Sequence, residues 1–305
     1  MDTPHVLQPN DLEPGDVLLH MGRGELSKLI AWVGDSAYSH AAVVYDQAQL
    51  MEAAASGVRH APLAQRITMV ENFVYIDVFR PARLQKPDHD VLLDLLRKAL
   101  APYIGLPYPM TSLFVLGIVC AVRNKIPGSR DLRRIVRMAL DLIVDNDAHK
   151  VVCSELVYRG FDEAATEPSH ALRLPVVTRS RQHTPLPDID LIALAHECLE
   201  DMQRAGRKPT LASEIALLAA PMHGMHEVVA AAVADVDEED DLAGRLQQAR
   251  AQLGIHSSEK VLLNASVAAT SFALPDPTPN PKTVLPADLE FSPGLLKIGR
   301  LALTA

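Results

Sequence analysis

Cys153, His40 and Glu52 are the side chains of this 305-residue sequence whose types and order could support nucleophilic catalysis. A cysteine thiolate can attack a carbonyl carbon, a histidine can carry the proton, and a carboxylate can orient the imidazole and stabilise its charged form. The chemistry would be transfer of an acyl group to the thiol and then to an acceptor. Each residue alone has a simpler explanation, because free cysteines are often small buried apolar residues, and strand histidines or glutamates are often surface residues.

Cys153 stands in the segment Val151–Tyr158 (VVCSELVY), which predicts a helix that begins at the cysteine. Ser154 and Glu155 suit a first helical turn, where polar groups meet unpaired backbone N–H groups and the positive end of the helix dipole. An apolar face at helical spacing continues to Phe161. A thiol at such a position has its pKa lowered from about 8.5 toward roughly 3.5–7.5. The segment therefore indicates a cysteine in the setting of a nucleophile.

His40 and Glu52 fall on two predicted strands, His40–Tyr45 and Gln49–Ala53, with a turn at Asp46 between them. If the two strands pair across this turn, both side chains can lie on the same face and close together. The histidine would then have the orienting group that a catalytic base requires.

The elements around these residues predict an α+β fold, in which an antiparallel sheet packs on the cysteine-bearing helix. The connections in the first eighty residues are too short for parallel crossovers. Further strands are expected at Val17–Leu19, Gly57–Leu63, Phe73–Arg80 and Leu174–Val177, and helices at Gly22–Val33 and Asp90–Ala101.

A helical insertion is expected at about residues 105–148. Its apolar part, Met110–Val122, is either a buried helix or a helix at a membrane surface. Its basic part, Ser129–Val144, is either a solvated face or a contact for anionic lipid or substrate phosphate. A peripheral membrane contact therefore stays open.

The proline-marked stretch Thr184–Asp188 predicts a domain boundary, with domains at 1–188 and 189–305. The second region is expected to be mainly helical. It includes the proline-rich stretch Pro275–Pro286, which is too rich in proline for regular structure. We expect a loosely packed tail or one that binds a protein partner.

Composition and charge argue against several classes of function. A net charge of −9 argues against a nucleic-acid partner, which needs basic surface. Three widely spaced cysteines predict no disulfide frame, and His223 and His226 have no carboxylate or thiol at matching spacing, so neither a metal nor a cofactor is expected. No signal peptide is visible, and Met110–Val122 is shorter than the about 20 residues that span a bilayer. The sequence predicts a cytoplasmic protein, with export by a specialised secretion system left open.

Four short motifs occur in a characteristic order: GDVLL from Gly15, SHAAVV from Ser39, MEA from Met51 and VCSELV from Val152. In this order the sequence resembles the circularly permuted papain-like cysteine hydrolases of the NlpC superfamily. The YiiX-like branch is the most similar, and lecithin–retinol acyltransferase-like enzymes are more distant. The resemblance covers about residues 12–190 and implies a permuted papain-like fold.

The resemblance also implies roles for individual residues. Cys153 would be the nucleophile, His40 the base and Glu52 the orienting residue; acyltransferase-like relatives commonly have a second histidine at that position. The pair Gly15-Asp16 matches the first-strand motif of the family. A Tyr-x-Gly-x-x-Tyr pattern is also matched and would line the substrate groove. The residues expected to contact substrate are Asp16, Tyr38, Tyr103, Tyr108 and Ser154.

Three functions remain open at this stage. The first is hydrolysis of amide bonds in peptides, including peptidoglycan stem peptides. The second is hydrolysis or transfer of lipid acyl chains, which the apolar insertion and its arginines suggest. The third is a non-catalytic binding module, which predicts a buried Cys153 without contact to His40. A bacterial effector delivered to a neighbouring cell would suit either enzyme.

Overall fold

The computed structural model describes residues 5–85, 89–108, 150–164, 170, 172–177 and 281–304, with isolated positions between 187 and 200. The strands are β1 (Val6–Leu7), β2 (Val17–Gly22), β3 (His40–Val44), β4 (Gln49–Ala54), β5 (Gly57–Pro62), β6 (Phe73–Pro81) and β7 (Leu295–Leu301). The helices are α1 (Glu25–Gly34), α2 (Leu63–Ile67), α3 (His89–Leu100), α4 (Cys153–Glu163) and α5 (Pro286–Glu290). Short 3-10 turns occupy Pro9–Asp11, Ala82–Gln85, Ala101–Tyr103 and Pro281–Thr283.

The seven strands form one sheet in the order β1-β7-β6-β2-β3-β4-β5. All neighbouring strands are antiparallel except the short β1, which runs parallel to β7. The predicted antiparallel meander is confirmed, since β2, β3, β4 and β5 pair in chain order. The molecule is therefore a mixed α+β fold with a mostly antiparallel sheet.

Both faces of the sheet are covered, which explains why its central strands are almost continuously apolar. Successive strand residues point to opposite faces, and accordingly Leu19 and Leu18 belong to two different apolar clusters. The cluster of Leu19 includes residues of α3 and α4, such as Leu96 and Leu156. The cluster of Leu18 includes Leu63 of α2. This arrangement packs the cysteine-bearing helix directly against the sheet.

The predicted strand at Leu174–Val177 is wrong, because residues 172–177 form neither a helix nor a strand. Pro175 has no N–H to donate to a neighbouring strand. Leu172 and Leu174 are nevertheless buried in the core, so this apolar segment contributes packing without strand pairing.

The C-terminal residues 281–304 pack on the sheet, whereas the first part of the proline-rich stretch Pro275–Pro286 lies outside the described residues. Helix α5 begins with Pro286 in its first turn, where a missing N–H costs nothing. Strand β7 lies between β1 and β6, and Leu289 and Leu301 are buried. The sheet thus contains residues from both sides of the predicted boundary at residue 188.

Several predicted features lie outside the described residues, namely most of the insertion with Met110–Val122 and Ser129–Val144, and nearly all of the helical region between 189 and 280. Among the described helices, none combines the length and the apolar character that crossing a membrane requires.

Candidate active site

Cys153 is the first residue of α4, as predicted. The preceding Val152 has an extended backbone, and its N–H donates to the Glu155 carboxylate at 3.4 Å. The N–H of Val151 donates to the carbonyl of Pro107 at 3.2 Å. The hydrogen bonds to Glu155 and Pro107 therefore fix the start of the helix. The thiol is buried, with 4% of Cys153 exposed.

The predicted pairing of the strands that carry His40 and Glu52 is confirmed. Ala42 of β3 is the register partner of Glu52 in β4, so His40 stands two residues away on the same face. The Nε2 atom of His40 lies 3.0 Å from Oε2 of Glu52. Because Nε2 is engaged by the carboxylate, Nδ1 is the nitrogen available to Cys153, and His40 and Cys153 lie close enough for each to shift the pKa of the other.

Tyr108 is brought to the thiol by a segment that follows the edge of the sheet. The N–H of Gly105 donates to the carbonyl of Val58 at 2.9 Å, and the N–H of Val58 donates to the carbonyl of Leu106 at 2.8 Å. Gly105 has a φ of 85°, which glycine adopts without steric cost. The Tyr108 side chain reaches Cys153, where its hydroxyl helps to lower the pKa of the thiol.

The surroundings of Cys153 and His40 favour a thiolate–imidazolium pair. Burial raises the pKa of the Cys153 thiol, but the His40 charge, the Ala41 backbone and the Tyr108 hydroxyl together bring that pKa below its ordinary value. Burial lowers the pKa of His40, but Cys153 and Glu52 outweigh burial and raise it to about 9. Both shifts favour the ionised thiol, which is the nucleophilic form of a cysteine.

Glu52 is almost completely buried, with 1% of its side chain exposed, and contacts three cationic groups. Burial raises its pKa, but His40 and Arg66 outweigh burial and hold the pKa well below its usual range. Arg66 Nη2 lies 2.5 Å from Oε2 of Glu52, and Arg59 Nη2 lies 3.1 Å from Oε1. The orienting group is therefore an ionised carboxylate.

His20 completes the buried cluster, although the sequence analysis did not single it out. It is the register partner of His40, and the centroids of the two rings are 5.1 Å apart in an edge-to-face arrangement. Within the described part of the chain neither ring nitrogen has a well-formed hydrogen-bond partner, although the His40 backbone lies near the ring. Burial, followed by the charges of Arg66 and His40, holds the pKa of His20 well below its ordinary value, so its ring is neutral.

The sequence analysis also missed Arg59 and Arg66. Arg59 could have been found, because a predicted β4–β5 pairing places it opposite Glu52. Arg66 lies in a short helix with no pattern that points to the site.

The other four residues that were predicted to contact substrate form hydrogen bonds with protein groups away from Cys153. Asp16 accepts hydrogen bonds from Arg80 at 2.8 and 2.9 Å. The hydroxyl of buried Tyr38 donates to Asp77 at 2.8 Å. The other two donate through their hydroxyls, Tyr103 to Glu163 at 2.6 Å and Ser154 to the Val284 carbonyl at 2.7 Å. Of the five residues, Tyr108 is the one whose side chain reaches the thiol, and substrate contact by all five stays a prediction.

Within the described ranges, no three histidine, cysteine or acidic side chains are grouped so as to hold a metal ion. His223, His226, Cys120 and most of the second region lie outside those ranges. No protein-family model matches the chain, and no curated protein matches it by sequence.

Proposed function

We propose that this chain is a cysteine hydrolase that cleaves amide bonds, in peptides or peptidoglycan stem peptides, through a thioester on Cys153. The observation that carries the proposal is the continuous contact from a thiol at a helix N-terminus to His40, and from His40 to Glu52 at 3.0 Å. The order of the motifs favours assignment of the fold to the permuted papain-like hydrolases of the NlpC superfamily.

In this mechanism the Cys153 thiolate attacks the carbonyl carbon, and the electron pair of the C=O bond moves to oxygen. Backbone N–H groups at the start of α4 face this negative charge at the positive end of the helix. Collapse of the intermediate breaks the C–N bond, while His40 gives its proton to the leaving amine. His40 then takes a proton from water, whose oxygen attacks the thioester, and the thiolate leaves.

The two other functions are less well supported. Lipid acyl hydrolysis or transfer would use the same three residues, but its motivation is the segment Met110–Val122, outside the described residues. A non-catalytic module predicts no contact between Cys153 and His40, whereas the two side chains lie close enough for each to shift the pKa of the other.

The test compares wild type with Cys153→Ala on a panel of muropeptides and phospholipids, with products identified by mass spectrometry. We expect a new amine from muropeptides with wild type alone. Cys120→Ala and Cys198→Ala are matched controls that should retain activity. Release of fatty acids would favour the lipid function instead, and absence of turnover together with an unreactive Cys153 would contradict any thiol chemistry.

A further inference from the structure

Arg66 shares an oxygen of Glu52 with the catalytic histidine. Oε2 of Glu52 lies 2.5 Å from Nη2 of Arg66 and 3.0 Å from Nε2 of His40. The two arginines on Glu52 differ in their surroundings: the side chain of Arg66 is 4% exposed, whereas that of Arg59 is 51% exposed. The guanidinium carbon of Arg66 also lies 5.0 Å from the centre of the Phe73 ring.

Burying a guanidinium costs several kcal/mol unless close partners compensate it. Here the compensation extends along a row of four groups, Arg66, Glu52, His40 and Cys153, whose charges alternate and sum to zero when the thiol is ionised. Arg59 is too exposed to replace Arg66, because water screens its charge.

We propose that Arg66 is a positioning residue of the site, which acts through Glu52 to hold His40 toward Cys153 and to balance the charge of the thiolate. This inference rests on the proposed function, since it assigns Arg66 a role in activating the same thiol. Arg66 itself touches neither the thiol nor the reacting carbonyl.

Removing Arg66 would leave one uncompensated negative charge in a buried site, and the site would respond by binding a proton. A proton on Cys153 removes the nucleophile directly. A proton on Glu52 removes the anion that stabilises the His40 imidazolium, and with it the partner of the thiolate. Among the described residues, the other charged or titratable groups that face Cys153, His40 and Glu52 are Arg59 on β5, which is screened, His20 on β2, which is neutral, and the Tyr108 hydroxyl beside the thiol.

The experiment measures alkylation of Cys153 by iodoacetamide in the full chain from pH 5 to 9.5, with the Cys153 peptide quantified by mass spectrometry. We expect Arg66→Met to raise the thiol pKa seen in the rate–pH profile by one unit or more, so that the rate at pH values below that pKa falls by about tenfold or more. Arg66→Lys keeps the charge and should recover most of the rate. The double variant Arg66→Met/Glu52→Gln removes both buried charges, so it stays measurable if Arg66→Met fails to fold.

A double-mutant cycle separates positioning from a general structural role. If Arg66 acts through Glu52, the double variant reacts no more than about twofold slower than Glu52→Gln, because neighbours in one network are not additive. Independent, multiplied losses would overturn the proposal. Arg300→Met is the matched control, since it removes one of two cations from buried Asp77 elsewhere in the sheet; its rate should equal that of wild type.

Different results would contradict the proposed function and the role of Arg66. A wild-type Cys153 that reacts only at the pH of an ordinary thiol would overturn the proposed function. A wild type that reacts at low pH, with Arg66→Met within about twofold of it, would overturn the role of Arg66 alone.

Discussion

At the level of single residues, opposing effects act on the pKa of His40. Burial disfavours its charged form, whereas the thiol of Cys153 and the carboxylate of Glu52 stabilise it, and the pKa of His40 is raised to about 9. The same contact lowers the pKa of Cys153. The thiolate and the imidazolium therefore coexist over a pH range that is shifted and widened relative to the free side chains.

The first prediction follows from these two pKa shifts. The proposed mechanism requires a deprotonated Cys153 and a protonated His40, so kcat/KM should rise as pH passes the lowered thiol pKa and fall as pH passes about 9. Glu52→Gln removes one of the groups that raise the pKa of His40, and should move the alkaline limb to lower pH. A wild-type alkaline limb near the ordinary histidine pKa of about 6.5 would contradict this assignment.

The second prediction concerns the hydroxyl of Tyr108. Tyr108→Phe removes the hydroxyl that helps to lower the pKa of the thiol, and a hydrogen bond to a charged group is worth about 1.5–3 kcal/mol. Alkylation of Cys153 at pH values below the thiol pKa should therefore slow by about tenfold or more. Tyr158→Phe is a matched control, because within the described residues the buried Tyr158 hydroxyl has no hydrogen-bond partner. Equal effects of the two substitutions would show that the Tyr108 hydroxyl does not act on the thiol.

At the level of elements, the site depends on a close approach between the edge strand β5 and the segment that carries Tyr108. Gly57 has a φ of 101°, and a Cβ atom there would lie 2.7 Å from the carbonyl oxygen of Leu106. The hydrogen bonds of Val58 to Gly105 and Leu106 require this approach. A glycine in β5 is therefore a condition for the position of Tyr108.

The third prediction is that Gly57→Ala lowers the free energy of unfolding by about 1–3 kcal/mol, because alanine at this φ is strained. It should also slow alkylation of Cys153, since Tyr108 is displaced. The control is Gly34→Ala in α1, where a Cβ meets only ordinary contacts at 3.6 Å and alanine favours the helix. Denaturant unfolding of both variants gives the comparison; similar stabilities would contradict the role of Gly57.

At the level of the whole molecule, the C-terminal residues complete the sheet that carries the site. Lys297 and Arg300 of β7 lie 2.7 and 2.6 Å from the carboxylate of Asp77, which is buried in β6. The hydroxyl of Tyr38 donates to the same carboxylate. Without β7, Asp77 would lose both cations, and β6 would lose its outer neighbour in the sheet.

The fourth prediction is that residues 1–188 alone do not form the stable domain that the sequence boundary suggests. Removing β7 leaves the buried Asp77 carboxylate without either cation and takes Leu295 and Leu301 out of the core, and both losses destabilise a domain whose total stability is small. Circular dichroism and thermal unfolding of 1–188 and of the full chain provide the measurement. Cooperative unfolding of 1–188 at the temperature of the full chain would contradict the structural role of β7.

The local patterns of the sequence were enough to predict most of the strands and the start of the cysteine-bearing helix. Alternating and β-branched residues predicted β2 to β6, and the polar first turn of VVCSELVY predicted the start of α4 at Cys153. A short turn at Asp46 was enough to bring His40 and Glu52 together, because the register of a hairpin is set by residues close in sequence. These features depend on interactions between neighbours along the chain.

Only the tertiary structure decided which distant residues surround the site and complete the sheet. Arg66 and His20 reach Glu52 and His40 from other elements, and β7 returns more than 200 residues after β6 to pair with it. Such contacts depend on packing between elements, which leaves no periodic pattern in either partner. For the same physical reason, three of the chemical groups of the site could be identified from sequence, whereas the buried charges that balance them could not.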